Sequence, residues 1–212
     1  MDGLCLQEVY SAYYSSLQGE DKSRYRIKIG LLGCGLGDPY LIELGSAPRQ
    51  QDLCMLDWQE WPEVQYPDIY NYFVITHSVY TQDMLRAYKS LDAYNLFVNG
   101  WVANVRVLCL LCDQSVFLAF AEVRHSQTIS KTPVKPWVAL RKNGTILCAH
   151  CTCMAGLGEA CSHIAALLFA LEANTQMKMN LSCTSLPCSW LPPSFQTVPY
   201  SEIKDIDFTS PK

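Results

Sequence analysis

Three cysteines and one histidine fall within thirteen residues of this 212-residue chain: Cys151, Cys153, Cys161 and His163. No other stretch constrains the fold as much. The order is Cys-x-Cys, a seven-residue loop, then Cys-x-His. Thiols and imidazole are soft or borderline donors, and four of them closing a tetrahedron make a structural zinc site. Four protein ligands leave no coordination position for water, so the expectation is one structural Zn2+ with no catalytic metal. Apparent binding energies of such sites, about 10–16 kcal/mol, are comparable to a small domain's whole stability. The segment is therefore expected to be disordered without metal.

The flanks say how the four donors could meet. Lys142 to Thr145, with Asn143-Gly144 at its centre, reads as a two-residue hairpin turn between strands Trp137–Arg141 and Ile146–His150. If the second strand continues to Cys153, its period of two puts Cys151 and Cys153 on one face. Cys148 and His150 then share the other face. Cys148-x-x-Cys151 is a rival pairing of commoner zinc spacing, and this alternation argues against it. Downstream, Ser162 can cap a helix running to about Glu172, placing Cys161 and His163 at an N-terminus that favours thiolate. From Ile164 to Leu171 that helix is apolar on every side, so it must be buried and cannot lie in a nucleic-acid groove.

A hairpin, Cys-x-Cys, Cys-x-His and an apolar helix together resemble the SWIM-type zinc finger. The resemblance covers about residues 123–173 and carries over to Cys151, Cys153, Cys161 and His163. More loosely, residues 70–101 and 184–212 are similar to the flanks of eukaryotic SWIM proteins that also carry a YqaJ-like viral recombinase/nuclease domain. The resemblance implies binding of nucleic acid, DNA more than RNA, or contacts with protein partners, and a nuclear location.

Charge supplies a separate argument for nucleic acid. Residues 101–150 carry 6 basic against 2 acidic residues, whereas residues 1–100 carry 7 against 13. Between Arg124 and His150 there are Lys131, Lys135, Arg141 and Lys142 besides Arg124, and no acid. The expected hairpin register puts Trp137, Arg141 and His150 on one face, opposite Val138, Leu140, Leu147 and Ala149. Trp137 could stack on a base there, with Arg124, Lys131, Lys135, Arg141 and Lys142 as phosphate contacts. The alternative is a protein-interaction scaffold that docks a partner or orients a nuclease domain absent from this chain. It draws on the acidic N-terminal half and the many aromatic residues.

The remaining sequence bounds the class. Eleven cysteines without a basic-then-apolar start suggest a reducing, intracellular setting. No membrane partner is expected, because Asn104, Arg106, Asp113 and Gln114 interrupt the longest apolar candidate, residues 102–121. The glycine-rich run Gly30 to Pro39 lacks phosphate-loop spacing. Cys109-x-x-Cys112 reads as buried thiols, and neither Cys183 with Cys188 nor Glu202-x-Lys204 assembles a site. No nucleophile, base and oxyanion set is recognisable, so no enzyme is expected. The expected fold is α+β: an antiparallel β-sheet with packed helices and a zinc-stapled β-hairpin–helix lobe. Its parts are a loop-rich segment over 1–79, which packs on the core and contains a short strand at Tyr25–Ile29; a helix plus hairpin over 80–122, the helix running from Gln82 to Phe97; the zinc finger over 123–175; and an extended tail over 176–212. Trp58, Trp61 and Tyr66 are expected to anchor the first segment to the core.

Overall fold

Two nearly continuous apolar runs become neighbouring strands, of which the second, Val116–Val123, is buried on both faces while the first keeps Asn104 exposed. The computed structural model describes residues 10–32, 38–43, 53–110, 116–124 and 131–180. It contains a five-stranded antiparallel sheet in sequential order: β1 (Leu53–Met55), β2 (Val102–Leu110), β3 (Val116–Val123), β4 (Pro136–Arg141) and β5 (Ile146–Cys151). The fold is α+β, as expected. β1 comes from the first expected segment, β2 from the second, and β4 and β5 from the finger, so one sheet spans all three. One compact unit extends through Asn180. The expected tail beyond it, the glycine-rich loop between residues 33 and 37, and Cys112 lie outside the described residues.

Strand alternation sorts side chains into two cores. On one face Phe117, Ala119, Val138, Leu140, Ala149 and Cys151 pack against α7 (Ser162–Asn180), whose residues Ile164 to Phe169 are all buried. Two further helical segments lie on this side. One is α4 (Tyr66–Tyr70), running on into a π-helical turn, Asn71–Thr76; the other is α6 (Asp92–Val98). Trp61 is buried here with Trp58 and Tyr66 packed beside it, the anchoring expected of them. The opposite face presents Leu118, Phe120, Trp137, Ala139 and Cys148. It is covered by Tyr14 of α1 (Ala12–Ser16), Tyr25 of α2 (Gly19–Leu31), and Tyr40 and Ile42 of α3 (Pro39–Glu43).

Several local expectations are corrected. Tyr25–Ile29 is the middle of helix α2, not a strand. Glu20 and Asp21 sit in its first turn and Lys28 in its last, matching the helix dipole, and Glu20 pairs with Arg24 one turn on. The apparent alternation misled because Ile27 points out, 67% exposed, whereas Tyr25, Lys28 and Leu32 point in. The helix expected over 82–97 is broken into α5 (Gln82–Arg86), a 3-10 turn Tyr88–Ser90, and α6. Ala87 leaves helical geometry, and Leu91 is extended before α6 starts.

The β4–β5 connection holds three residues rather than two. Arg141 N–H donates to Thr145 O, and Gly144 N–H donates to Arg141 O. Gly144 has φ +85°, the left-handed bulge position of a three-residue hairpin. The register still pairs Trp137 with His150 and Ala139 with Cys148, as expected, then slips by one so that Leu140 faces Ile146.

Candidate metal centre

β5 delivers Cys151 at its last position, opposite Pro136 and on the α7 side of the sheet. The strand stops there rather than at Cys153, because Thr152 Oγ1 takes the Lys135 N–H and the chain turns. Gly156 N–H then donates to Cys153 O at 2.9 Å, closing a tight turn before a 3-10 segment, Gly156–Gly158. Glu159 follows in left-handed geometry, φ +63°. Cys161 stands immediately before α7, its carbonyl accepting the first helical bond from Ala165 N–H. The helix extends to Asn180, eight residues past the expected end, because its second half still buries Asn174 and Thr175.

The four donor atoms of Cys151, Cys153, Cys161 and His163 all lie within 4.8 Å of one another. A tetrahedron with metal–sulfur bonds of about 2.3 Å has edges of about 3.8 Å, so a modest contraction would seat one ion. The protonation chemistry fits as well. Hydrogen bonds from Cys151 and Cys161 hold the Cys153 thiol far below its usual range. Cys151, the donor, is correspondingly raised. Burial works against charge on His163, yet hydrogen bonds to Cys153 and Cys161, with their negative charge, push it up to about 9. The four side chains already share protons among themselves, and a divalent ion would replace those protons. One metal ion could therefore bind here through Cys151, Cys153, Cys161 and His163, the residues named from the sequence.

The rival Cys148 is turned away. It lies on the opposite face, and burial, then the Glu159 carboxylate, push its thiol up to about 12. His150 is likewise on that face, fully buried, its Nε2 2.8 Å from Tyr13 Oη. Burial and the Lys28 charge push it down to about 3, so it is a neutral interior imidazole.

The expected nucleic-acid residues fare differently. Trp137 has no exposed surface. Trp137 and His150 do share a face, as expected, whereas the register slip brings Ile146 to the α7 side and leaves Leu147 exposed. Helices α1, α2 and α3 cover the Trp137 face, so the indole is core and cannot stack on a base. Arg124, Lys131, Arg141 and Lys142 are exposed and Lys135 is half-buried. They form two groups. Arg124, Lys131 and Lys135 sit at the metal end, where Val134 bridges Val123 and Lys135 N–H meets Thr152. Arg141 and Lys142 lie at the start of the hairpin turn, about 20 Å away along β4. Lys142 Nζ is engaged there, donating to Glu60 O and lying 5.5 Å from the Phe117 ring centroid.

Two residues that sequence reasoning passed over adjoin the centre. Glu159 Oε1 lies 2.9 Å from Lys28 Nζ, while its Oε2 accepts from Tyr72 Oη at 2.9 Å and Ala149 N at 3.2 Å. The available signal was that Glu159 is the one charged residue of the ligand loop. Reading Lys28 required α2 to be recognised as a helix.

No family model, curated protein or solved structure matches this chain. Among the described residues, no helix is long and apolar enough to cross a membrane.

Proposed function

We propose that this chain is a zinc-stapled, SWIM-type module without catalytic activity that binds nucleic acid, DNA more than RNA, in the nucleus. The observation that carries the reading is the convergence of Cys151, Cys153, Cys161 and His163 beside exposed Arg124 and Lys131 and the half-buried Lys135. Three thiolates with one imidazole favour zinc over the harder divalent ions. With Trp137 interior, binding rests on phosphate contacts and is indifferent to sequence. Because the basic residues are divided, the metal-end group acts alone, giving about three phosphate contacts. Affinity should then fall about 40-fold between 50 and 200 mM salt, from a log–log slope near −2.7. Were all five cations used together, the slope would be near −4.5.

Fluorescence anisotropy with a single labelled duplex, across salt, tests this. Arg124→Glu with Lys131→Glu should remove binding while zinc content stays at one per chain. Arg141→Glu with Lys142→Glu should leave most of it. Absence of affinity for the duplex at low salt would overturn the nucleic-acid reading. Protein docking then takes its place, which the exposed Ile75, Val79 and fully exposed Met154 favour.

A further inference from the structure

The ammonium of Lys28 is buried, its side chain 6% exposed, and among the described residues its two hydrogen-bond acceptors and its ion-pair partner all belong to β5 or the ligand loop. Nζ donates to Ala149 O at 3.0 Å and Leu157 O at 3.3 Å, and pairs with the Glu159 carboxylate at 2.9 Å. An ammonium offers three donors, and the contacts it makes among the described residues all lie on β5 or on the loop between Cys153 and Cys161. Glu159, two residues before Cys161, holds left-handed backbone geometry that a non-glycine residue keeps only when its surroundings over-determine it. Those surroundings are Lys28 from α2, Tyr72 from the π-helical turn and the Ala149 N–H from β5, with His77 Nε2 further off at 3.9 Å. One carboxylate thus ties three elements to the loop that carries the second pair of ligands.

We propose that Lys28 and Glu159 are positioning residues for the metal centre, and that through them metal occupancy controls the docking of α2 onto the sheet. The inference rests on the metal reading above. When the loop holds its ligating shape, Lys28 has all its partners. When the loop melts, the buried ammonium loses Leu157 O and the Glu159 carboxylate together and keeps only Ala149 O of β5, which a desolvated charge tolerates poorly. The effect is reciprocal: removing Lys28 takes away the charged partner of Glu159, leaving it Tyr72 and the Ala149 N–H, and loosens the loop that sets Cys153 against Cys161. Supporting residues of this kind alter metal affinity without touching the ion.

The test uses the whole chain with cobalt(II) as a spectroscopic stand-in for zinc, and Lys28→Met and Glu159→Gln variants. Both variants should bind cobalt about 10–100-fold more weakly, with the tetrahedral thiolate spectrum unchanged because no ligand is lost. Hydrogen exchange needs no variant. In the wild type, chelation should raise amide exchange in residues 19–31, and in Lys28→Met that metal dependence should vanish. Wild-type affinity in both variants would overturn the proposal. So would wild-type α2 exchange that ignores the metal, and this arm stands even if a variant fails to fold. A wild type that takes up no metal would sink the metal reading itself, which is distinguishable from metal bound normally over an indifferent α2.

Discussion

Gly156→Ala should abolish the metal centre, whereas Gly158→Ala, the same change two residues on, should leave it intact. A Cβ built on Gly156 lies 1.7 Å from Cys151 O and 2.5 Å from its carbonyl carbon. Real contacts need roughly 3.0 Å, so loop and strand end must separate by about 1.3 Å. Neither side can yield cheaply. Cys151 is the last residue of β5, and Gly156 N–H is bonded to Cys153 O. The displacement therefore falls on two ligands, while metal–ligand distances tolerate about ±0.2 Å. At Gly158 nothing lies within 4 Å and φ is not positive. An alanine there should be neutral or stabilise by roughly 0.4–1 kcal/mol through the unfolded chain. Zinc competition against a chromophoric chelator reads the difference. Gly156→Ala should weaken zinc by at least about 100-fold and Gly158→Ala by less than about threefold, taking displaced ligation to cost no less than lost outer-shell support. Equal affinities for the two variants would show that the close approach of the loop to Cys151 does not govern ligation.

Cys148→Ala should keep the metal and Cys153→Ala should lose it, because Cys148 faces the α2 side of the sheet; elemental analysis of the purified variants gives the answer, and the reverse result would reassign the ligands. Trp137→Ala should cost about 3–5 kcal/mol of stability, measured by urea unfolding of the zinc-loaded protein, as expected for a large aromatic removed from a core. An indole that served as a surface platform would cost far less.

The candidate metal ligands were legible because their chemistry is narrow and strand alternation is strict. Cys151 and Cys148 are three apart, so they must lie on opposite faces whatever covers each face. β3 was legible for a related reason, since a run that is apolar from Val116 to Ala121 has to be buried on both sides. The fate of Trp137 was not legible. Alternation placed it beside Ala139 and opposite Val138, correctly, but whether that face meets solvent depends on residues more than ninety positions away. Those residues gave a misleading local pattern, because α2 buries a lysine and exposes an isoleucine. Lys28 can be buried only through partners at Ala149, Leu157 and Glu159, and no local window of sequence contains them. The three-residue turn is a smaller case: Asn-Gly is compatible with two loop lengths, and the longer one shifts the register only beyond Ala139.

How much of this fold depends on the metal follows from what else holds each part. An isolated finger has little besides its ion, and its whole stability is then metal-binding energy. Here β4 and β5 belong to a sheet in which β4 also pairs with β3. Helix α7 buries Ile164, Leu167, Leu168 and Leu171 against a core that draws on β2, β3 and α6. Burying each such side chain contributes roughly 1.5–3 kcal/mol, and these contacts do not need the ion. The loop from Thr152 to Ala160 is different. Gly156 is its one fully buried residue, it contains four residues of glycine or alanine, and Met154 points fully into solvent. Its shape is set by the ligands at its two ends and by Glu159 in its interior. Metal loss should therefore melt the loop first and release Lys28 with it. The sheet and α7 would stand, and the expectation of disorder across the whole finger narrows to the loop and the helix docked upon it.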